Sequence, residues 1–183
     1  MNFFKLDNID SSEILKEVQQ NNYLWKFNTN RQNNLKVQSE TQSIPLRKAI
    51  VNSSVDPRHT YHIHESKETD LYSLFPKIKK FINAFIDKYE GEIGRILIVK
   101  LPLEKMVYPH TDDGEYYKIR DRFHYVIEGM YEYTVNNELK IFKQNELWYF
   151  NNKEIHFTKT IGNIDRIALI FDVKDSKWRE FHG

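Results

Sequence analysis

A change of hydrophobic period at Gly91 limits the fold more than any other feature. Before it, Leu71, Leu74, Phe75, Ile78, Phe81, Ile82, Phe85, Ile86 and Tyr89 recur every three or four residues. Lys77, Lys79, Lys80, Asp87 and Lys88 fill the other face, the pattern of one amphipathic helix over 71–89. Pro76 suits a first helical turn, so the regular helix is expected to begin there, after a preceding turn. Beyond Gly91 the chain breaks into seven short apolar segments, 95–101, 122–129, 131–135, 138–142, 146–150, 156–160 and 166–173. Asn136-Asn137 reads as a two-residue hairpin turn, because Asn tolerates positive φ. Short strands at regular intervals specify a sandwich or jelly roll.

Ahead of the long helix, residues 10–21 read as a second helix. Asp10 is the expected N-cap, Glu13 completes a capping box, and Ile14, Leu15 and Val18 form the apolar stripe. Residues 28–34 are polar and read as a loop. Residues 35–43 alternate through Leu35, Val37, Ser39 and Thr41, which predicts an outer strand. No linker, repeat or low-complexity tract divides the chain. The expectation is one domain over 1–183, with helical support over about 1–90 and a β core over about 91–183.

Twelve Phe, eleven Tyr and three Trp put much of that core in large rings. Lys and Arg total 27 against 26 Asp and Glu, so nothing in the charge favours nucleic acid or an anionic membrane. No long apolar run occurs, and MNFFKLDNIDSSE has no apolar signal core, so a soluble cytoplasmic protein is the expectation. The absence of cysteine excludes disulfides, thiolate metal sites and a Cys nucleophile.

The chemistry concentrates in Tyr108-Pro109-His110-Thr111-Asp112-Asp113-Gly114. In extended backbone His110 and Asp112 project from one face, while Asp113, a rival carboxylate, faces away. Three ligands on one strand cannot share one octahedral face, so a third must come from elsewhere, and His156 is the candidate. Two imidazoles and one carboxylate leave open positions, as in non-haem Fe(II) oxygenases. His-x-Asp alone is not diagnostic. A second group, His59, Tyr61, His62 and His64, lacks a carboxylate at matched spacing until Glu65 and reads as a polar strand or loop.

Arg166 opens the apolar run Ile167-Ala168-Leu169-Ile170-Phe171. A cation there is costly to desolvate without an anionic partner, and its planar fork suits a carboxylate. A dicarboxylate chelating the metal through a 2-oxo acid end would present its far carboxylate to such a residue. Arg122 and His124 alternate on one strand face, with Phe123 and Tyr125 on the other. A local alternative pairs Arg122 with Asp121 or Glu128 at the surface and leaves His124 in the core.

The series His110-x-Asp112, Arg122-x-His124, Trp148-x-Phe150-Asn151-Asn152, His156 and Arg166 resembles the aspartyl/asparaginyl β-hydroxylase family over about residues 110–172, with weaker similarity through 41–47. The resemblance implies a mainly β fold with flanking helices, a cupin-like double-stranded β-helix or jelly roll. It implies an Fe(II), 2-oxoglutarate and O₂-dependent dioxygenase hydroxylating an unactivated C–H bond, of an amino acid free or within a peptide or protein. By it, His110, Asp112 and His156 are the iron ligands and catalytic centre. Arg122 and His124 lie near the chelating carboxylate of 2-oxoglutarate, and Arg166 grips the far one. Animal members lack the Asp112 carboxylate, and the longer spacing to Arg122 leaves an insertion over 114–119. Trp148, Phe150 and Tyr125, or their neighbours, are expected to line the interior, and Arg47, His62, His64, Asp113, Glu115 and Arg120 to lie near the rim, as solvated surface charge or as substrate contacts, with Arg47 the candidate carboxylate clamp. The alternative is a cupin-like module that binds a metal or small acid without catalysis, since jelly rolls host both.

Overall fold

The computed structural model describes residues 1–51 and 57–182, with backbone alone for residues 30, 31 and 57–59. The first half contains β1 (Phe3–Asn8), α1 (Ser12–Gln20), α2 (Asn30–Asn34), β2 (Gln42–Ala49), β3 (Ser66–Glu68) and α3 (Pro76–Tyr89). Then follow β4 (Glu92–Leu101), β5 (Met106–His110), α4 (Glu115–Lys118), β6 (Arg120–Glu128), β7 (Met130–Val135) and β8 (Glu138–Lys143). The chain ends with β9 (Glu146–Phe150), β10 (His156–Ile161), β11 (Arg166–Lys174) and α5 (Trp178–His182).

Two sheets result. The major sheet has the order β1-β9-β6-β11-β4-β2-β3 and the minor sheet β5-β10-β7-β8. From β4 onward the chain crosses between the sheets, except at the β7–β8 hairpin, and neighbours pair antiparallel. This is the double-stranded β-helix, mainly β with flanking helices. The hairpin turns at Asn136, whose φ is 53°. No helix among the described residues is long and apolar enough to cross a membrane.

The two-residue period of the major sheet creates two cores. Phe123, Tyr125, Ile127, Leu147, Tyr149, Leu169 and Phe171 face the helices, meeting Ile14 and Val18 of α1 and Ile78, Ile82 and Phe85 of α3. Phe81 stacks on Tyr125 at 4.5 Å, and Phe85 lies 4.8 Å from Phe123 and 4.9 Å from Phe171. The opposite face encloses Phe3, Val126, Tyr131, Tyr133, Val135, Phe142 and Phe150 between the sheets. Tyr125 therefore does not line the interior as expected; it belongs to the helix side, half a strand period from His124.

Other expectations change as well. The supposed strand over 35–43 contains a short 3-10 turn, Lys36–Gln38, and the strand begins at Gln42. Leu35 is exposed, so the alternation there marks no buried face. The polar stretch 28–34 includes the one-turn α2. The first 90 residues are not only helical support, because β1, β2 and β3 extend the major sheet on both edges. At α1 the N-cap is Ser11 rather than Asp10. Asp10 instead accepts from the Ser12 backbone and hydroxyl, and Glu13 pairs with Lys16 at 2.7 Å.

The start of α3 is secured from outside. Pro76 occupies its first turn, preceded by the 3-10 turn Asp70–Leu74. Buried Glu17 accepts the Lys77 and Ile78 amides at 2.7 and 3.1 Å, satisfying two donors that a helix start leaves open. Replacing Glu17 by Ala should lower stability by about 1–3 kcal/mol, the cost of leaving buried donors without a charged acceptor. Urea denaturation of the two proteins checks this, and an unchanged midpoint would count against the contact.

Candidate metal centre

β5 and β10 are neighbours in the minor sheet, and their register sets His110 opposite His156. The two rings lie 4.4 Å apart between centroids. The chain leaves β5 at His110, and the Asp112 amide donates to the Asn152 carbonyl at 3.0 Å, turning the carboxylate inward. Asp112 Oδ1 stands 3.8 Å from His110 Nε2, and Oδ2 stands 3.9 Å from His156 Nε2. One ligand atom from each residue falls within 4.8 Å of the others, a group able to hold one ion.

The tautomers suit ligation. His110 Nδ1 lies 2.7 Å from the Tyr108 carbonyl, and His156 Nδ1 lies 2.9 Å from that of Glu154. A carbonyl only accepts, so each Nδ1 carries the hydrogen and each Nε2 keeps a free lone pair toward Asp112. Burial pushes the His156 imidazole down to about 4, against the pull of the Asp112 carboxylate, so it is neutral at pH 7. Burial also disfavours the Asp112 anion. The Arg122 guanidinium, the strongest opposing neighbour, outweighs it with help from the Asn152 amide and holds the carboxyl below its ordinary value.

Arg122 is buried with all three donor nitrogens engaged. Nη1 donates to Asp112 Oδ2 at 2.7 Å, and Nε and Nη2 donate to the two oxygens of Asp172 at 2.7 and 3.0 Å. Neither local partner envisaged from the sequence takes it; Asp121 pairs with Arg179 and accepts from Trp178 Nε1. Burial works against the guanidinium, yet the two carboxylates raise its pKa well above the ordinary value. His124 places Nδ1 3.1 Å from the Tyr131 hydroxyl, with its ring against Phe150 and Tyr133.

Arg166 is 1% exposed. Its guanidinium carbon lies 4.4 Å from the centre of the Tyr131 ring, and Nε and Nη1 have no hydrogen-bond partner among the described residues. Desolvation lowers its pKa against the support of the Tyr131 and Tyr133 hydroxyls. Tyr131 thus links Arg166 to His124, and Tyr133 and Phe150 continue the ring contacts to His156.

The rim candidates divide. Arg47 is held by Ser66 through its hydroxyl and carbonyl, on the β2–β3 ladder. Arg120 is buried against His64 and the Tyr116 carbonyl, and His62 accepts the Glu115 amide. Asp113 is exposed and outside the ligand group. The side chain of His59 lies outside the described residues. Three supporting residues escaped the sequence reading, Asp172, Tyr116 and Tyr131, and Asn152 entered it only within the family series, without its role here: its amide donates to Asp112 Oδ2 at 3.1 Å. Asp172 carried a readable signal, since it shares a strand face with Arg166 six residues earlier in an apolar run. Tyr131 carried none.

A sequence profile described as aspartyl/asparaginyl beta-hydroxylase matches residues 6–176. No curated protein matches the chain. Similar solved structures include a conserved protein of unknown function from Streptococcus pyogenes, with 15% identity and a TM-score of 0.37 over 44% of this chain and 63% of that one. The cupin domain of Schizosaccharomyces pombe Cnp3 aligns with 15% identity and a TM-score of 0.39 over 44% and 56%. A predicted oxalate decarboxylase from Thermotoga maritima aligns with 17% identity and a TM-score of 0.39 over 52% and 73%. The alignments span less than two thirds of the first two of those chains.

The depressed His156 pKa has a thermodynamic consequence. The unfolded chain takes up this proton near the ordinary value of 6.5, whereas the folded protein takes it up near 4. Below 6.5 the unfolded state therefore binds more protons, and stability falls as pH drops through that window. In chelator-treated protein the loss attributable to His156 should reach about 1–3 kcal/mol by pH 4. His156→Gln should flatten the slope of urea midpoint against pH; an equal slope in both proteins would refute the assignment.

Proposed function

The chain belongs to the aspartyl/asparaginyl β-hydroxylase family, and from that premise we propose that it is an Fe(II)- and 2-oxoglutarate-dependent hydroxylase. Its substrate is an unactivated C–H bond of an amino acid, free or within a peptide or protein. The observation that carries the reading is Arg166, a buried cation with two donor nitrogens unpartnered among the described residues, in the interior that also holds the His–Asp–His group. A permanent charge in such a place calls for an anion, and a second carboxylate on a metal-chelating acid meets that need.

The donor set fits the metal. Two imidazole nitrogens and one carboxylate oxygen suit Fe(II), which His110, Asp112 and His156 would hold with positions open for a chelating cosubstrate. Iron bound there supplies the activation of O₂, coupled to oxidative decarboxylation of 2-oxoglutarate to succinate and CO₂. The protein's part is ligation by His110, Asp112 and His156, with their tautomers and carboxylate orientation fixed by Tyr108, Glu154 and Asn152. Arg166 receives the far carboxylate, and the Tyr131 hydroxyl ties it to His124. Phe150 and Tyr133 pack around His156 and keep that side of the centre dry.

Purified protein loaded anaerobically with Fe(II) should bind 2-oxoglutarate and, supplied with O₂ and an amino-acid and peptide pool, convert it to succinate. Arg166→Gln should weaken 2-oxoglutarate binding at least about 100-fold, the scale of losing a charged partner of a carboxylate, while Fe(II) binding persists. His110→Ala should abolish both. Metal bound without any affinity for 2-oxoglutarate would instead favour a non-catalytic cupin-like module.

A further inference from the structure

We propose that Asp172 and Tyr116 are positioning residues that hold Arg122 against Asp112 and thereby fix the ligand carboxylate for the metal. The inference rests on the reading of His110, Asp112 and His156 as a metal site. β6 and β11 pair so that Arg122 lies opposite Asp172, and Asp172 takes two of the three donor nitrogens. The third goes to Asp112 Oδ2, leaving Oδ1 on the side of His110 Nε2. Two buried carboxylates and one guanidinium sum to a single negative charge, which a divalent cation offsets.

Asp172 is itself held. The Tyr116 hydroxyl donates to Asp172 Oδ2 at 3.1 Å and accepts the Arg95 amide at 2.6 Å. Tyr116 is fully buried, with the guanidinium carbons of Arg95 and Arg120 at 4.0 and 4.2 Å from its ring centre. Its hydroxyl occupies the space beside Gly94, where an added Cβ would collide with it. The residues 114–119, which lengthen the spacing from His110 to Arg122, thus supply the last member of a chain running Tyr116, Asp172, Arg122, Asp112. Three of the five N–H groups of Arg122 are so used, and it serves the ligand carboxylate beside any contact with the chelating carboxylate of the cosubstrate, the role that the family resemblance implies.

Co(II) titration followed by visible d–d absorption tests this in the full chain. The proteins compared are wild type, Asp172→Asn, Tyr116→Phe, Asp112→Ala and the double variants Asp112→Ala/Asp172→Asn and Asp112→Ala/Tyr116→Phe. Asp172→Asn should weaken Co(II) binding about 10-fold, within the range found for outer partners of metal ligands, and shift the spectrum toward that of Asp112→Ala. In the Asp112→Ala background the same change should cost nothing further, because the effect passes through that carboxylate. The affinity of the metal-saturated Asp172→Asn protein for 2-oxoglutarate should stay within about threefold of wild type, less than the loss of one hydrogen bond. Tyr116→Phe keeps the ring packing and should show the same pattern more weakly, and it carries the cycle if Asp172→Asn does not fold. Equal losses in both backgrounds would make the network merely structural and overturn the proposal. So would unchanged Co(II) binding with a tenfold loss of 2-oxoglutarate affinity, which would place the effect of Asp172 on the cosubstrate and not on the ligand. Wild-type protein that binds no Co(II) would instead overturn the metal-site reading on which this one rests.

Discussion

The antiparallel pairing of β5 with β10 holds two imidazoles side by side across a single ladder, and the register between them is what allows one ion to be shared. Residues directly opposite on adjacent strands stand about 4.5–5.5 Å apart, close enough for both rings to reach a common point. A slip of one residue would turn His156 to the outer face, because side chains alternate with a period of two. That register is specified on the other side of β10 as well, where His156, Thr158 and Thr160 oppose Val135, Tyr133 and Tyr131 of β7. Asp112 needs no strand of its own. It follows β5 by two residues and is turned by Asn152, which lies just ahead of β10.

The major sheet separates two environments that would otherwise conflict. On one face, the rings of Phe85, Phe123 and Phe171 close against each other, burying apolar surface worth roughly 1.5–3 kcal/mol per large side chain. On the other, the same strands carry Arg122, His124, Arg166 and Asp172, whose burial opposes folding unless each charge finds a partner. Arg122 and Asp172 satisfy each other across neighbouring strands, whereas Arg166 has mainly the face and hydroxyl of Tyr131. The helix-side core thus supports an interior that carries buried charge.

Much of this was legible in the residues. The change of period at Gly91, the entry at Pro76 and the turn at Asn136 are local effects of backbone chemistry, and each appears where such effects place it. His110, Asp112 and His156 were readable because ligand types are few and their spacing implies separate elements. Tyr125 was misplaced because alternation shows which residues share a face, not which face turns inward. Strand β1 escaped notice because Phe3-Phe4-Lys5-Leu6 has no local pattern; its partner β9 lies more than a hundred residues away. The engagement of Arg122 was hidden for the same reason: Asp172 is 50 positions distant in sequence and adjacent only after β6 and β11 pair.

That distant pairing of β1 has a kinetic side. β1 covers the outer edge of β9, and Phe3 packs within the interior against Tyr133 and Phe142 at 5.9 and 5.7 Å. Its register joins Phe3 to Phe150, a loop closure spanning most of the chain, and contacts of such separation form slowly. On the ribosome, β1 emerges before β9 and waits for it. Until they meet, β9 is a bare strand edge flanking the sheet that carries Arg122, with Trp148 and Phe150 beside it, a template for pairing with another nascent chain. The earlier of the two partners is therefore the one that closes this edge of the sheet, and folding is most exposed to mispairing during that wait.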